Sequence, residues 1–240
     1  MTDDLNKNHP FFSIAIPAYG YNGRGSSYLQ HNLLILEKQN FKDFEVVISD
    51  HSTDNTIKNI YNSWKDKLNI KYIPNNKGRG YISPNLNVSM QNCIGEWIKI
   101  LFQDDFLYDE NSLKKTNEYL LNNKNTKWLA TEFYHSNDGI NFYNHYIPRW
   151  VDDIWTGNNT MGCPSSITIK NENLLLFEES IEWLMDVEYY KRMFDKFGPP
   201  NIMNEITVVN RTNQNDRDSH SFTQEHMNLE LEFVNKRFNK

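Results

Sequence analysis

Ile98-Lys-Ile-Leu-Phe-Gln-Asp104-Asp105-Phe106 reads as an apolar β-run that ends in two adjacent carboxylates. Open α/β sheets place ligand chemistry at the C-terminal edge of their strands, so acids delivered there are candidates for a site. Two neighbouring carboxylates repel each other and gain little unless a cation sits beside them. A divalent metal answers that need. The plainer alternative is a solvated turn that opens a helix from Ser112 to Leu121, with Asp109 or Asn111 as its N-cap.

The segments upstream decide the architecture around this run. Phe11-Phe-Ser-Ile-Ala-Ile-Pro17 predicts a buried strand stopped by proline, followed by a glycine-rich segment from Gly20 to Gly25. Ser27 to Gln39 carries Leu29, Leu33 and Leu36 at helical spacing. Phe44 to Asp50 predicts a second strand ending in an acid, and Thr53 to Trp64 a helix opened by Ser/Thr/Asp caps. Ile70 to Ile73 is a short third strand, Asn75 to Gly80 a loop, Asn85 to Cys93 a helix and Glu96 to Phe102 the fourth strand. Four alternations at short spacing are the signature of a mostly parallel α/β sheet with right-handed crossovers.

After Leu121 the order is less regular. Lys127 to Tyr134 and Ser166 to Lys170 predict strands, Trp183 to Phe194 an amphipathic helix, Asn210 to His220 a polar loop, and Phe222 to Phe238 a terminal helix. The expectation is one domain over 1–240, with a nucleotide-binding half over about 11–125, an irregular half over about 126–220 and a terminal helix over 221–240.

At 240 residues, 14% aromatic and 23% charged, the chain has the make-up of a folded protein with a real core. The net charge of −6 supplies no global basic surface for nucleic acid or anionic lipid, so a nucleic-acid partner would need a local patch. Cys93 and Cys163 have no metal-type spacing, which suits a reducing compartment. The first ten residues contain no apolar signal segment, and no apolar run approaches the roughly 20 residues that span a bilayer. The expected location is the cytoplasm, including the membrane periphery.

Asp50 and the Asp104–Asp105 pair end strands that share one sheet edge, and Asp186 opens a later helix. The glycine segment contains no GxxxxGK[ST], and no GxGxxG follows the first strand, which argues against a P-loop NTPase and a dinucleotide dehydrogenase. Nucleotidyl transfer would want a glycine-rich loop with two basic residues there, and only Arg24 is present.

Ser13-Ile-Ala-Ile-Pro-Ala-Tyr19, Phe44 to Thr56 and Gly95 to Asp105, in that order, together with Asn87, resemble the family 2 glycosyltransferases of the GT-A fold. Pro164-Ser165-Ser166 and Trp183 to Arg192 are similar to the family's acceptor-side loop and base-bearing helix. The resemblance implies a nucleotide-sugar donor (a UDP-sugar first), Mn²⁺ or Mg²⁺, and transfer with inversion to a hydroxyl-bearing acceptor such as a glycan or a lipid-linked saccharide. An acceptor on a nucleic-acid base or a protein side chain is the alternative. By this likeness Pro17, Ala18 and Tyr19 wall the base and ribose, Asp50 accepts from the base, Asp104 holds the ribose and Asp105 ligates the metal. Asp186 becomes the general base, with Glu188 and Glu182 as alternatives, and an ordinary ion pair to Lys191 or Arg192 as the plain one.

The chain departs from the pattern twice. Leu86 stands where many relatives carry Arg, which leaves Lys77 or Arg79 to face phosphate. Asn213 stands where relatives often place a His metal ligand, which leaves His220 as the substitute. His51 is expected to pack locally, His135 and His145 flank a Tyr/Phe/Asn-rich segment without ligand spacing, most of the dense aromatics from Trp128 to Trp155 are expected to be core, and Asp152–Asp153 rank below Asp104–Asp105.

Overall fold

The computed structural model describes residues 9–212 and 222–239. Among the described residues nine strands form one mixed sheet: β1 (Phe12–Ala18), β2 (Phe44–Asp50), β3 (Ile70–Pro74), β4 (Trp97–Ile100), β5 (Phe106–Leu107), β6 (Trp128–Ser136), β7 (Tyr143–Tyr146), β8 (Ile167–Lys170) and β9 (Asn201–Arg211). Six α-helices among the same residues flank it: α1 (Arg24–Glu37), α2 (Thr56–Trp64), α3 (Ile82–Gln91), α4 (Ser112–Asn122), α5 (Met185–Phe197) and α6 (Gln224–Phe238). The strand order is β3-β2-β1-β4-β8-β6-β9-β5, with β7 added against β6.

β1 to β4 are parallel, as the alternation predicts. Every residue of β2 and β4 is buried, because helices cover both faces, which favours mostly apolar strands. On one face Leu29, Leu33 and Leu36 of α1, Trp64 of α2 and Leu113 of α4 pack against Ile14, Ile16 and Val46. On the other, Leu86 and Met90 of α3, Val187 and Tyr190 of α5 and Val234 of α6 pack against Ala15, Val47, Ile98 and Ile100. The result is a three-layer α/β/α sandwich.

β8 runs antiparallel between β4 and β6. β5, β7 and β9 were not expected from local pattern. Asn210 and Arg211, assigned above to a polar loop, instead end β9, where they pair with His135 and Ser136 of β6. The β-branched run Ile206-Thr207-Val208-Val209 is the local signal for this strand. His220 lies outside the described residues.

Candidate active site

A cleft of about 580 Å³, open to solvent, lies at the C-terminal edge of β1 and β4. Pro17, Ala18 and Tyr19 form one wall, Tyr81, Ile82 and Asn85 another, and Asp104 borders it beside Phe102 and Gln103.

Two buried amides, neither singled out by sequence, shape this wall. Gln103 accepts from the Tyr19 N–H and donates to the Tyr19 carbonyl at 3.0 Å, so it holds the two peptide groups that flank one residue. It also donates to the Gly25 carbonyl. Asn85 donates to the Ala18 carbonyl at 3.0 Å and accepts from the Ser49 hydroxyl at 2.7 Å. The glycine segment explains itself here: a Cβ on Gly25 would stand 1.8 Å from the Tyr19 carbonyl oxygen and 2.5 Å from Gln103 Nε2. Gly25→Ala should therefore displace the cleft wall and destabilise the fold by about 2 kcal/mol or more, read by chemical denaturation. A variant of parental stability would show that this close approach is relaxed in solution.

Asp50 is buried beside the cleft and is not among its lining residues. One of its oxygens accepts from the Tyr72 hydroxyl at 2.7 Å and the other from the Ser52 N–H at 2.8 Å. Burial, then the Asp50 bond, pushes the Tyr72 phenol well up. His51 does more than pack locally, since it lines the cleft with its Nε2 3.0 Å from the Lys77 carbonyl and 2.9 Å from Asn75 Nδ2.

Asp105 is buried under the end of the sheet. Its Oδ1 accepts from Asn210 Nδ2 at 2.9 Å and the Arg211 N–H at 2.8 Å, while the Arg211 guanidinium reaches the Asp104 carbonyl at 3.1 Å. The end of β9 is therefore what fixes the acidic pair. Ser165 stands beside Asp105 and favours its ionised form, and among the described residues Oδ2 is a buried oxygen without a hydrogen-bond partner. Burial, then the Asp104 charge, pushes the Asp105 carboxyl up to about 8. Beneath it Lys99, fully buried in β4 and not foreseen as functional, has an amine without a hydrogen-bond partner among the described residues, pushed down to about 7 by burial.

Asp186 is the second residue of α5 and is half-buried. Burial pushes its carboxyl up to about 7. Neither cation named above pairs with it: Lys191 bonds Asp195 and Arg192 bonds Glu188 at 2.6 Å. Glu188 is fully buried and also held by Arg237 at 2.6 Å, so it is committed to structure. Glu182 accepts from the Ile82 N–H at 3.3 Å. The thiol of Cys163 is pushed well above its ordinary range by burial first, and feels both Asp105 and Asp186.

The basic candidates are largely committed as well. Lys77 pairs with Glu179 at 2.7 Å, and Arg79 bonds Asn76. Asn87 is a buried clamp, exchanging bonds of 2.9 and 2.8 Å with the Phe177 backbone, and Leu86 is in the core. Among the described residues no cluster of three or more His, Cys, Asp or Glu side chains is poised to hold a metal.

The profile of the family described as "Glycosyl transferase family 2" matches residues 13–192. The chain belongs to this family. An uncharacterized glycosyltransferase of Haemophilus influenzae is 30% identical over 118 residues, 48% of this chain and 44% of that protein. The GalNAc(5)-diNAcBac-PP-undecaprenol beta-1,3-glucosyltransferase of Campylobacter jejuni is 29% identical over 99 residues, 41% of this chain and 31% of that protein. The chain thus spans less than half the length of these relatives. Among solved structures, S. aureus TarS superposes with a TM-score of 0.66 at 19% identity, over 95% of this chain and 43% of that one. The mannosyltransferase PcManGT from Pyrobaculum calidifontis does so with a TM-score of 0.63 at 15% identity, over 90% and 60%. The fold is that of these GT-A glycosyltransferases, a mostly parallel α/β sheet flanked by helices. Among the described residues no helix is long and apolar enough to cross a membrane.

Proposed function

We propose that this family 2 glycosyltransferase domain moves a sugar from a nucleotide-sugar donor, with a divalent cation and with inversion, to a hydroxyl of a glycan or lipid-linked acceptor. The supporting observation is the unpartnered, buried Oδ2 of Asp105 beside a cleft walled by Pro17, Ala18, Tyr19 and Asp104. A buried carboxyl oxygen left unpaired is costly, burial holds it toward its neutral form, and a hard cation bound by oxygen would satisfy it and favour its ionisation. The residues fit such an ion: Asp105 would hold it with Asp104 nearby, and donor phosphates and water would complete its shell. Bound there, it would neutralise charge on the departing diphosphate. Related structures support the donor class, since TarS was solved with UDP-GlcNAc and PcManGT with GDP-Man and Mn²⁺.

The chain's own residues then have defined tasks. Gln103 and Asn85 hold the Pro17–Tyr19 backbone as a fixed wall for the nucleoside, which pre-organises the donor at small entropic cost. Asp186 takes the proton of the acceptor hydroxyl as its oxygen bonds to the anomeric carbon. The bond from that carbon to the diphosphate breaks, and the electron pair leaves with the nucleotide. One carboxylate suffices, because no second acid is needed for a diphosphate leaving group, unlike glycoside hydrolysis.

Incubation with Mn²⁺ and a panel of UDP-, GDP- and dTDP-sugars should give nucleoside diphosphate release with one donor class, a UDP-sugar being the first expectation. Pyrophosphate from an NTP and a sugar phosphate would instead mark a nucleotidyltransferase, and no product with any donor would mark a binder.

A further inference from the structure

The family profile ends at Arg192, yet a helix beyond it is bonded to the start of α5. Glu230 of α6 is only 4% exposed, and its two carboxylate oxygens accept separately from the Glu182 and Leu184 N–H groups, both at 2.8 Å. Leu184 immediately precedes α5 and offers no side-chain cap of its own. A helix start leaves backbone N–H groups without intrahelical partners, and here a carboxylate from a distant helix answers two N–H groups of the entry segment. Asp186 follows Leu184 by two residues.

The same helix grips this region again. Arg237 donates to Glu178 at 3.0 Å and to the buried Glu188 at 2.6 Å, two residues beyond Asp186. His226 closes on Glu230 at 2.6 Å. Glu182 accepts from the N–H of Ile82, a cleft residue, so a continuous route runs from α6 through the α5 start to the cleft wall.

We infer that Glu230 is a positioning residue for sugar transfer: from α6 it fixes the first turn of α5 and so sets where the Asp186 carboxylate meets the attacking hydroxyl. This rests on Asp186 being the base. Both N–H groups need an oxygen acceptor, so a glutamine would turn an NH₂ donor toward one of them.

The test is steady-state nucleotide release from the UDP- or GDP-sugar that reacts fastest, with Mn²⁺ and water as acceptor, for Glu230→Gln, Asp186→Asn and the double variant. Glu230→Gln should lower kcat about tenfold, with the donor KM within about twofold, because a small misplacement of a reacting group is costly while the donor wall is untouched. In the Asp186→Asn background the same change should cost nothing further, since the two act as one unit. Parental kcat in a folded Glu230→Gln variant, or fully additive losses in the double variant, would overturn the inference. If Glu230→Gln does not fold, Glu230→Asp keeps the charge on a shorter stem, and a kcat equal to the parent's would overturn it equally. A fast Asp186→Asn enzyme would overturn the base assignment and the route through it. A slow Asp186→Asn beside a fast Glu230→Gln would remove Glu230 alone.

Discussion

Asp186→Asn is expected to lower kcat by about 10³-fold and leave donor binding unchanged, because a positioned general base contributes roughly 10² to 10⁴. Its pH behaviour supplies a second reading. Burial holds the Asp186 carboxyl at about 7, so the base is half ionised near neutrality. In the parent, kcat/KM should rise tenfold per pH unit below about 7 and level off above it, and the variant should lose this limb. The helix N-terminus favours the anion and works against burial, but only the burial effect moves the group toward neutrality.

The same shift has a stability consequence of opposite sense. A carboxyl whose folded pKa lies above its unfolded value of about 3.9 favours folding below that value, and the benefit is lost as pH rises through about 7. Above pH 7 the ionised Asp186 is a burden, so Asp186→Asn should be more stable than the parent there, read as a higher Tm. Thermal unfolding at pH 8 with donor-binding titrations checks both halves. A variant that is less stable at pH 8 and retains its turnover would remove Asp186 from the mechanism.

How much of this was legible in sequence follows from where the determinants lie. β1, β2 and β4 are buried and mostly apolar, so each could be read directly, and the acids that end β2 and follow β4 came with them. β5 has two residues and β7 is an exposed Tyr-Asn-His-Tyr segment, so only pairing makes either a strand. β9 pairs with β6 through register shifts, and its end meets Asp105 about a hundred residues away in sequence. No local pattern shows Asn210 and Arg211 as partners of Asp105. Gln103 and Asn85 are likewise ordinary amides until the fold aims them at the Tyr19 and Ala18 carbonyls. Lys77 and Arg79 looked available because Glu179 is distant in sequence and Asn76 is an unremarkable loop residue.

Asp105→Asn separates the architecture of the acidic pair from its charge. An asparagine can keep Oδ1 where Asn210 and Arg211 donate to it, and it replaces the unpartnered Oδ2 by a neutral NH₂ of the same size. The fold should therefore survive while the anionic oxygen facing a cation is lost. In the parent, Mn²⁺ with UDP at about a hundred times its Kd should stabilise the native state by about 2.7 kcal/mol. That corresponds to a Tm rise of roughly 5–10 °C at 2–4 °C per kcal/mol. The variant should show little of this rise and at least about 10³-fold slower nucleotide release, the scale on which loss of a transition-state charge partner acts. Magnesium may replace manganese in the same comparison, and chelation of the parent should reproduce the variant's rate. The decisive contrast is between two readouts of one protein: an unliganded Tm close to the parent's with the metal-dependent rise abolished. If the variant keeps both the Mn²⁺-dependent rise and the rate, the open oxygen of Asp105 is a feature of packing and the cation must be held elsewhere.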